Sequence, residues 1–384
     1  MTLFGELYFF VCAGVLLIPA LILGCLQKPL KYYGLVLSVA FILLALKDEP
    51  AELFYMMCYL AYQLVLINIF LRLRSEKGAR KGIFRIFILL SLAPLVIYKI
   101  AGLFALSILG FMGISYMTFK ALQVIIEIED GLIRECDCFD LIYFLIFFPT
   151  VLSGPIDRSR RFAADLDNAR PREEYLELVG AGLFKICQGL VYKFVLAQAV
   201  FQAITYLGME GGLLSNVIYL YSYGLYLFFD FAGYSLMAIG TGYILGVVTP
   251  ENFREPFLSV DIRDFWDRWH ITLSHWFRDF VFSRFMMASI RGRWFKSKLT
   301  GASLGFMINM LLMGLWHGLT ASYVLYGLYH GLLLALTEIY QKKSKFYKKH
   351  KKDRWYLVAS WFVTFNLVMF GFFIFSGRLL EIIW

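Results

Sequence analysis

Charged side chains are scarce in this 384-residue chain, at 17% where a soluble domain carries about 25%. With 60% of the residues hydrophobic, there is too little polar surface to cover a water-solvated fold, so the chain needs another solvent. Alternating polar and apolar segments of about ten residues are missing, which excludes a transmembrane barrel. The G-x-G-x-x-G and G-x-x-x-x-G-K-[ST] patterns are missing too, so nucleotide-driven transport has no support within the chain. There is no H-E-x-x-H, no H-x-x-x-H and no acidic cluster in the apolar part. Four of the six cysteines (Cys12, Cys25, Cys58, Cys187) lie in apolar runs, and the C-x-C of Cys136 and Cys138 lacks two further ligands. No bound metal is expected, and the thiols read as inert. No Gly/Ser- or Pro-rich linker and no repeat divides the sequence, so one domain spanning 1–384 is expected.

What is present is long apolar runs: 4–26, 53–71, 86–109, 139–152, 213–245, 299–319 and 355–375. A helix needs about 20 such residues to cross hydrocarbon, because every backbone amide there must be paired within its own segment. The fold class is therefore an all-α, multi-pass integral membrane protein. The run 4–26 has no basic start and no small-x-small cleavage site, so it reads as a retained first span.

The net charge of +9 is unevenly placed. Basic residues gather at Arg72, Arg74, Lys77, Arg80, Lys81 and Arg85, again between 342 and 354, and in smaller groups at 158–161 and 291–298. Lysine and arginine beside spans stay on the cytoplasmic side. Counting spans from these loops puts the N-terminus and Trp384 outside. The same rule accounts for the lysines without nucleic acid.

Polar residues inside the membrane are costly and mark function or pairing. The first third has almost none and reads as scaffold. Segment 252–294 is too charged to span and unusually rich in tryptophan. Trp266, Trp269, His270, Leu273, Trp276 and Phe277 recur at spacings of three and four, which makes one helix face, and the segment fits one or two amphipathic helices at the cytoplasmic interface. His270 sits in the thick of that face. Further on, His317 falls in the middle of the apolar stretch 299–336, straddled by Gly314 and Gly318, whose small size lets a backbone or a substrate approach. A neutral imidazole there suits proton abstraction from a hydroxyl, since its ordinary pKa lies near working pH. His330 reads as structural; His275 and His350 have no special setting.

These segments resemble the membrane-bound O-acyltransferase family. The likeness is carried by FFPTVLSGPIDRSRRF (147–162), FDFAGYSLMAIG (229–240), ENFREPFLSVDIRDFWDRWHITLSHWFRDFVF (251–282) and NMLLMGLWHG (309–318), in that order. Within the family, the S-G-P-I-D-R of 153–158 resembles the branch that modifies teichoic acids with D-alanine; the alginate-acetylation branch is similar in the later blocks. The resemblance implies a ring of about ten or eleven transmembrane helices around a thinned centre with a tunnel, plus interfacial amphipathic helices. It makes 1–135 mainly scaffold and 139–336 the signature region. It implies His317 as catalytic histidine and His270 as the second signature histidine. The donor would be D-alanine held as a thioester on the phosphopantetheine arm of a separate, acidic carrier protein on the cytoplasmic side. No cofactor would be bound. The acceptor would be teichoic acid, or a relay membrane protein, outside the plasma membrane. One alternative is an O-acetyltransferase for an extracellular polysaccharide, of the alginate-acetylation type; the other, from a different class, is a transporter or flippase of an envelope precursor, which should show inverted repeats or charged pairs facing across halves.

A thioester is already activated, so aligning the reactants, moving one proton and steadying the oxyanion remain. Asn309 and the Trp316 indole are the candidate oxyanion donors. For carrier docking, segment 278–298 offers charge at Arg284, Arg291, Arg293, Lys296 and Lys298. Apolar grip comes from Val281, Phe285, Met286, Met287 and Ile290. Residues 158–161 are the other candidate dock.

Overall fold

The computed structural model describes residues 3–78, 81–104, 110–167, 169–206 and 212–383, and every regular element among them is helical. Arg80, the run end at 105–109 and Trp384 lie outside the described residues. Among the described residues, seven helices are long and apolar enough to cross a bilayer: Leu7–Cys25, Pro50–Glu76, Lys81–Leu103, Arg172–Tyr206, Leu213–Ile244, Lys298–His317 and Arg354–Phe375. The protein is an all-α, multi-pass membrane protein. One expected span is different. Residues 139–152 form only a nine-residue helix, Cys138–Ile146, and a 3₁₀ turn at Phe148–Thr150. Nine residues rise about 14 Å, half the hydrocarbon thickness, and Pro149 stops the helix. Its apolar side chains are buried in protein, not in lipid.

The chain divides into two units, Met1–Leu190 with Gly233–Pro250, and Val191–Ala232 with Glu251–Trp384. In the first, α1 (Leu7–Leu16), α2 (Ile18–Cys25), α3 (Lys31–Ala45), α4 (Pro50–Lys77) and α5 (Lys81–Leu103) precede α6 (Ile114–Glu129), whose side chains are almost all buried. Then come α7 (Cys138–Ile146), α8 (Ser159–Asp167) and α9 (Arg172–Leu190). Helix α6 carries Lys120, Gln123 and Glu127 at helical spacing on its buried surface. Lys120 Nζ donates to the Phe144 carbonyl at 2.9 Å and to Thr150 Oγ1 at 3.1 Å. Gln123 Nε2 donates to the Asp157 carbonyl at 2.8 Å, and Glu127 accepts from Ser159 Oγ at 3.1 Å. Three polar groups in the supposedly plain scaffold thus hold the 144–159 segment, two of them satisfying backbone carbonyls that hydrocarbon could not.

The second unit opens with a π turn at Val191–Ala197, followed by α10 (Gln198–Tyr206) and by α11 (Leu213–Ile244), of which residues 213–232 belong here. Short α12 (Ile262–Trp266), α13 (Ile271–Phe277) and α14 (Ser283–Arg291) lead to a hairpin of α15 (Lys298–His317) and α16 (Ala321–Lys343). Helices α17 (Lys345–His350), α18 (Arg354–Phe375) and α19 (Arg378–Ile383) finish the chain. Helices α15 and α16 meet backbone to backbone. A Cβ on Gly314 would stand 2.4 Å from the Tyr323 carbonyl oxygen, and one on Gly327 would stand 2.5 Å from that of Met310.

Within the spans, Lys193 of the π turn forms an ion pair with Asp230 of α11. Asp230→Asn would leave an ammonium facing the bilayer interior alone, at a cost of about 2.5–3.5 kcal/mol. The variant should unfold at lower temperature in detergent, and Lys193→Met combined with Asp230→Leu should recover most of the loss. Equal melting of Asp230→Asn and wild type would mean that the pair is solvated.

Candidate active site

Helix α15 begins where Ser297 caps it, its hydroxyl accepting from Leu299 N at 3.2 Å. The helix ends at His317 because Gly318 is extended and the chain turns into α16. His317 therefore stands at the end of the span, away from the basic segment 291–298, and not in the middle of the apolar stretch. Phe306, Met310, Met313 and His317 follow one another at i, i+4, i+7 and i+11, which is one face of the helix. The half-buried imidazole of His317 is framed by Trp316 at 4.5 Å, Phe375 at 5.0 Å and Tyr323 at 6.0 Å between ring centroids.

His270 reaches the same place from another direction. The helix face expected through 266–277 is divided between two short helices: α12 stops at Trp266, and His270 itself adopts a left-handed backbone, φ 44°, before α13 starts. That conformation is sparsely allowed for a side chain with a Cβ and persists only where the surroundings fix it. They do. The Asn252 carbonyl accepts from Ile271 N at 2.9 Å, and Arg254 N donates to the Arg268 carbonyl at 3.0 Å, tying the 252–254 stretch across the break. The turn drives the imidazole inward to 3% exposure, 4.7 Å from the Phe231 ring and 6.4 Å from the Trp316 ring.

The hydrogen bonds fix the tautomer of His270. Thr272 N donates to Asn252 Oδ1 at 3.4 Å, and the Thr272 hydroxyl donates to it at 2.9 Å, so the atom facing His270 is the amide oxygen. His270 Nδ1, 3.1 Å from that oxygen, must carry the proton and donate. Nε2 is then a lone pair, buried and without a hydrogen-bond partner. Burial pushes the His270 pKa well below the ordinary imidazole value, and a charge on nearby His317 would lower it further. Asn252, which makes this arrangement, was not among the residues picked from the sequence. It lies 18 positions upstream in a loop, with no periodic signal of its own.

Below the histidines is a cavity of about 430 Å³. Phe306, Met310 and Met313 give it an apolar wall, one turn short of His317 on the same helix face. Arg263, Arg278, Asp267 and Glu338 supply a charged lining, with His275 beside them. Arg263 pairs with Glu338, and Arg278 with Asp267 at 3.7 Å. Asn309 and Trp266 also line the cavity, and the amide oxygen of one and the indole N–H of the other are buried without a protein partner. An entering amide or hydroxyl could satisfy both.

The structure thus brings together His317, Trp316 and His270. Asn309 is not with them: eight residues of α15 set it about 12 Å from His317 along the helix axis. The docking candidates lie on and after α14. Met287 and Ile290 are 47% and 51% exposed, and Arg291 and Arg293 are exposed, but Met286 is half-buried because it faces a different side of the short helix.

Residues 57–377 match the family model for the membrane-bound O-acyltransferase family. The chain is 38% identical to a teichoic acid D-alanyltransferase of Bacillus subtilis, over 98% of both chains. It is 36% identical to a protein of the same description from Streptococcus thermophilus, covering 98% of this chain and 95% of that one. A probable alginate O-acetylase of Pseudomonas aeruginosa is 30% identical over 71% of this chain and half of its own.

Proposed function

Because this chain belongs to the membrane-bound O-acyltransferase family, we propose that it moves D-alanyl groups from a carrier-protein thioester on the cytoplasmic side toward teichoic acid hydroxyls outside the plasma membrane. One observation carries the reading: the face of α15 that walls the cavity continues directly to His317, and the Trp316 ring beside it lies 6.4 Å from that of His270, whose Nε2 has no hydrogen-bond partner. A pantetheine arm is an apolar chain interrupted by amides. It suits a pocket with methionine and phenylalanine walls, an unpaired amide oxygen and an unpaired indole N–H. Arginines in the lining suit its phosphate. The nearly full-length likeness to the D-alanyltransferases favours D-alanyl over acetyl as the transferred group.

The chemistry needs one base. The acceptor hydroxyl attacks the thioester carbonyl, the C–O bond forms and the C–S bond breaks. The hydroxyl proton passes through the base to the leaving thiolate. His317 and His270 divide this work by environment. Full burial resists a charge on His270, so it serves as a neutral hydrogen-bond acceptor that orients the hydroxyl. His317, half-buried, carries the proton. Trp316 lies between them and can offer its indole N–H to the oxyanion. In this topology the N-terminus is outside, and His317 lies toward the acceptor side. Transfer is tested by following loss of D-alanine from its carrier-protein thioester, with and without the purified protein; an unchanged thioester would return the chain to the transporter class.

The carrier's dock is the exposed patch of Met287 and Ile290 followed by Arg291 and Arg293. Met287→Asp should weaken carrier binding about tenfold or more by putting a charge into an apolar contact. Charge reversal at Arg291 or Arg293 should weaken it most at low salt. Carrier binding indifferent to these changes and to salt would move the dock to 158–161.

A further inference from the structure

Arg378 breaks the pattern of basic residues. It is the sole lysine or arginine after Arg354, and it stands at the opposite end of α18. Helices α15 and α18 both start from basic segments, and their far ends meet, Phe375 lying 5.0 Å from His317. Arg378, one turn beyond Phe375, is thus at the His317 end of the spans, where topology asks for no positive charge. It is held there. Its Nε donates to Asn216 Oδ1 at 3.3 Å, and its guanidinium lies 5.9 Å above the Tyr219 ring.

Aromatic rings stand beside both Arg378 and the histidine. Tyr219 stacks on Tyr223 at 5.5 Å and lies 6.1 Å from Phe373 of α18. Two residues on, Phe375 lies 5.0 Å from His317, and Tyr323 lies 6.0 Å from it. Tyr219 and Tyr223 are one helical turn apart on α11, and both are half-buried, as surfaces lining an access route would be.

Resting on the D-alanyl transfer reading above, we infer that Arg378 is the anchor for the acceptor's phosphate. Teichoic acids are polyol phosphates, so each acceptor hydroxyl lies a short carbon chain from a phosphodiester. An arginine forks onto phosphate oxygens with two parallel N–H donors. With the phosphate at Arg378, the polyol lies along Tyr219 and Tyr223 and its hydroxyl points toward His317. Glu381, 3.2 Å from the same guanidinium and 65% exposed, competes for it and tempers affinity, which favours release of the modified chain.

The test uses the full chain in nanodiscs, the D-alanyl thioester on its carrier, and two soluble probes, glycerol 3-phosphate and glycerol. Wild type should show a KM for the phosphate probe about tenfold or more below that for glycerol. In Arg378→Gln this ratio collapses toward one through the KM of the phosphate probe, with kcat for that probe largely kept. Arg378→Lys retains part of the preference, and Glu381→Gln increases it. Equal loss with both probes in Arg378→Gln, or no preference in wild type, overturns the anchor. So does thioester consumption that neither probe changes. A protein that consumes no thioester even in native membranes overturns the proposed function itself.

Discussion

Replacing His317 with glutamine is expected to lower acyl transfer at least a hundredfold while leaving the protein inserted and folded. A general base contributes 10²–10⁴-fold, and glutamine keeps hydrogen-bonding capacity but cannot take the proton. The fold should tolerate the change. His317 is half-buried at the last position of α15, and the close approach of that helix to α16 is made by Gly314 and Gly327. Single-turnover loss of the carrier thioester measures the chemical step, and a detergent melting curve measures the fold. Retention of more than about a hundredth of the wild-type rate would take the base away from His317, and the unpaired Nε2 of His270 would become its replacement.

Much of this architecture was legible because span length is a crude physical requirement: about 20 apolar residues either exist or do not. The same crudeness misplaced 139–152, since an apolar run does not say whether lipid or protein will cover it. The position of His317 within its run was misjudged for a local reason. Gly318 ends the helix, and nothing in GLWHGLT distinguishes a glycine that packs inside a helix from one that stops it. At His270 the periodicity of three and four was real, but a single left-handed residue divides it into two helices and turns the imidazole into the protein. No periodicity argument contains a backbone inversion. The 1–135 region held a signal that was passed over: Lys120, Gln123 and Glu127, at i, i+3 and i+7, mark one face of a nearly buried helix. Such a polar stripe asks for buried backbone to satisfy, and the 144–159 loop supplies it.

The second large effect concerns the tautomer of His270 and should appear on substituting a residue that touches no substrate. Asn252→Leu removes the oxygen that accepts from His270 Nδ1 and from Thr272, at nearly constant volume. Without it the neutral imidazole is free to place its proton on Nε2, and a hydrogen-bond acceptor beside His317 becomes a donor. The loss of one oriented hydrogen bond, with a buried group left unpaired, is worth about 1–3 kcal/mol, or about five- to 150-fold in rate. The loss should fall on kcat for acyl transfer and spare the apparent affinity for the carrier, whose proposed dock at Met287, Arg291 and Arg293 lies on and after α14. His270→Ala should do at least as much damage. His270→Gln should retain part of the rate, because its amide oxygen can stand in for the Nε2 lone pair. Asn252→Asp separates positioning from packing: a carboxylate accepts from Nδ1 as the amide does, so its rate should exceed that of Asn252→Leu. If Asn252→Leu and Asn252→Asp lose activity equally and both melt early, Asn252 serves the fold of the 252–272 turn. If donor-saturation kinetics of His270→Ala show unchanged affinity and unchanged rate, His270 has no part in the transfer, and the proton must be managed by His317 alone.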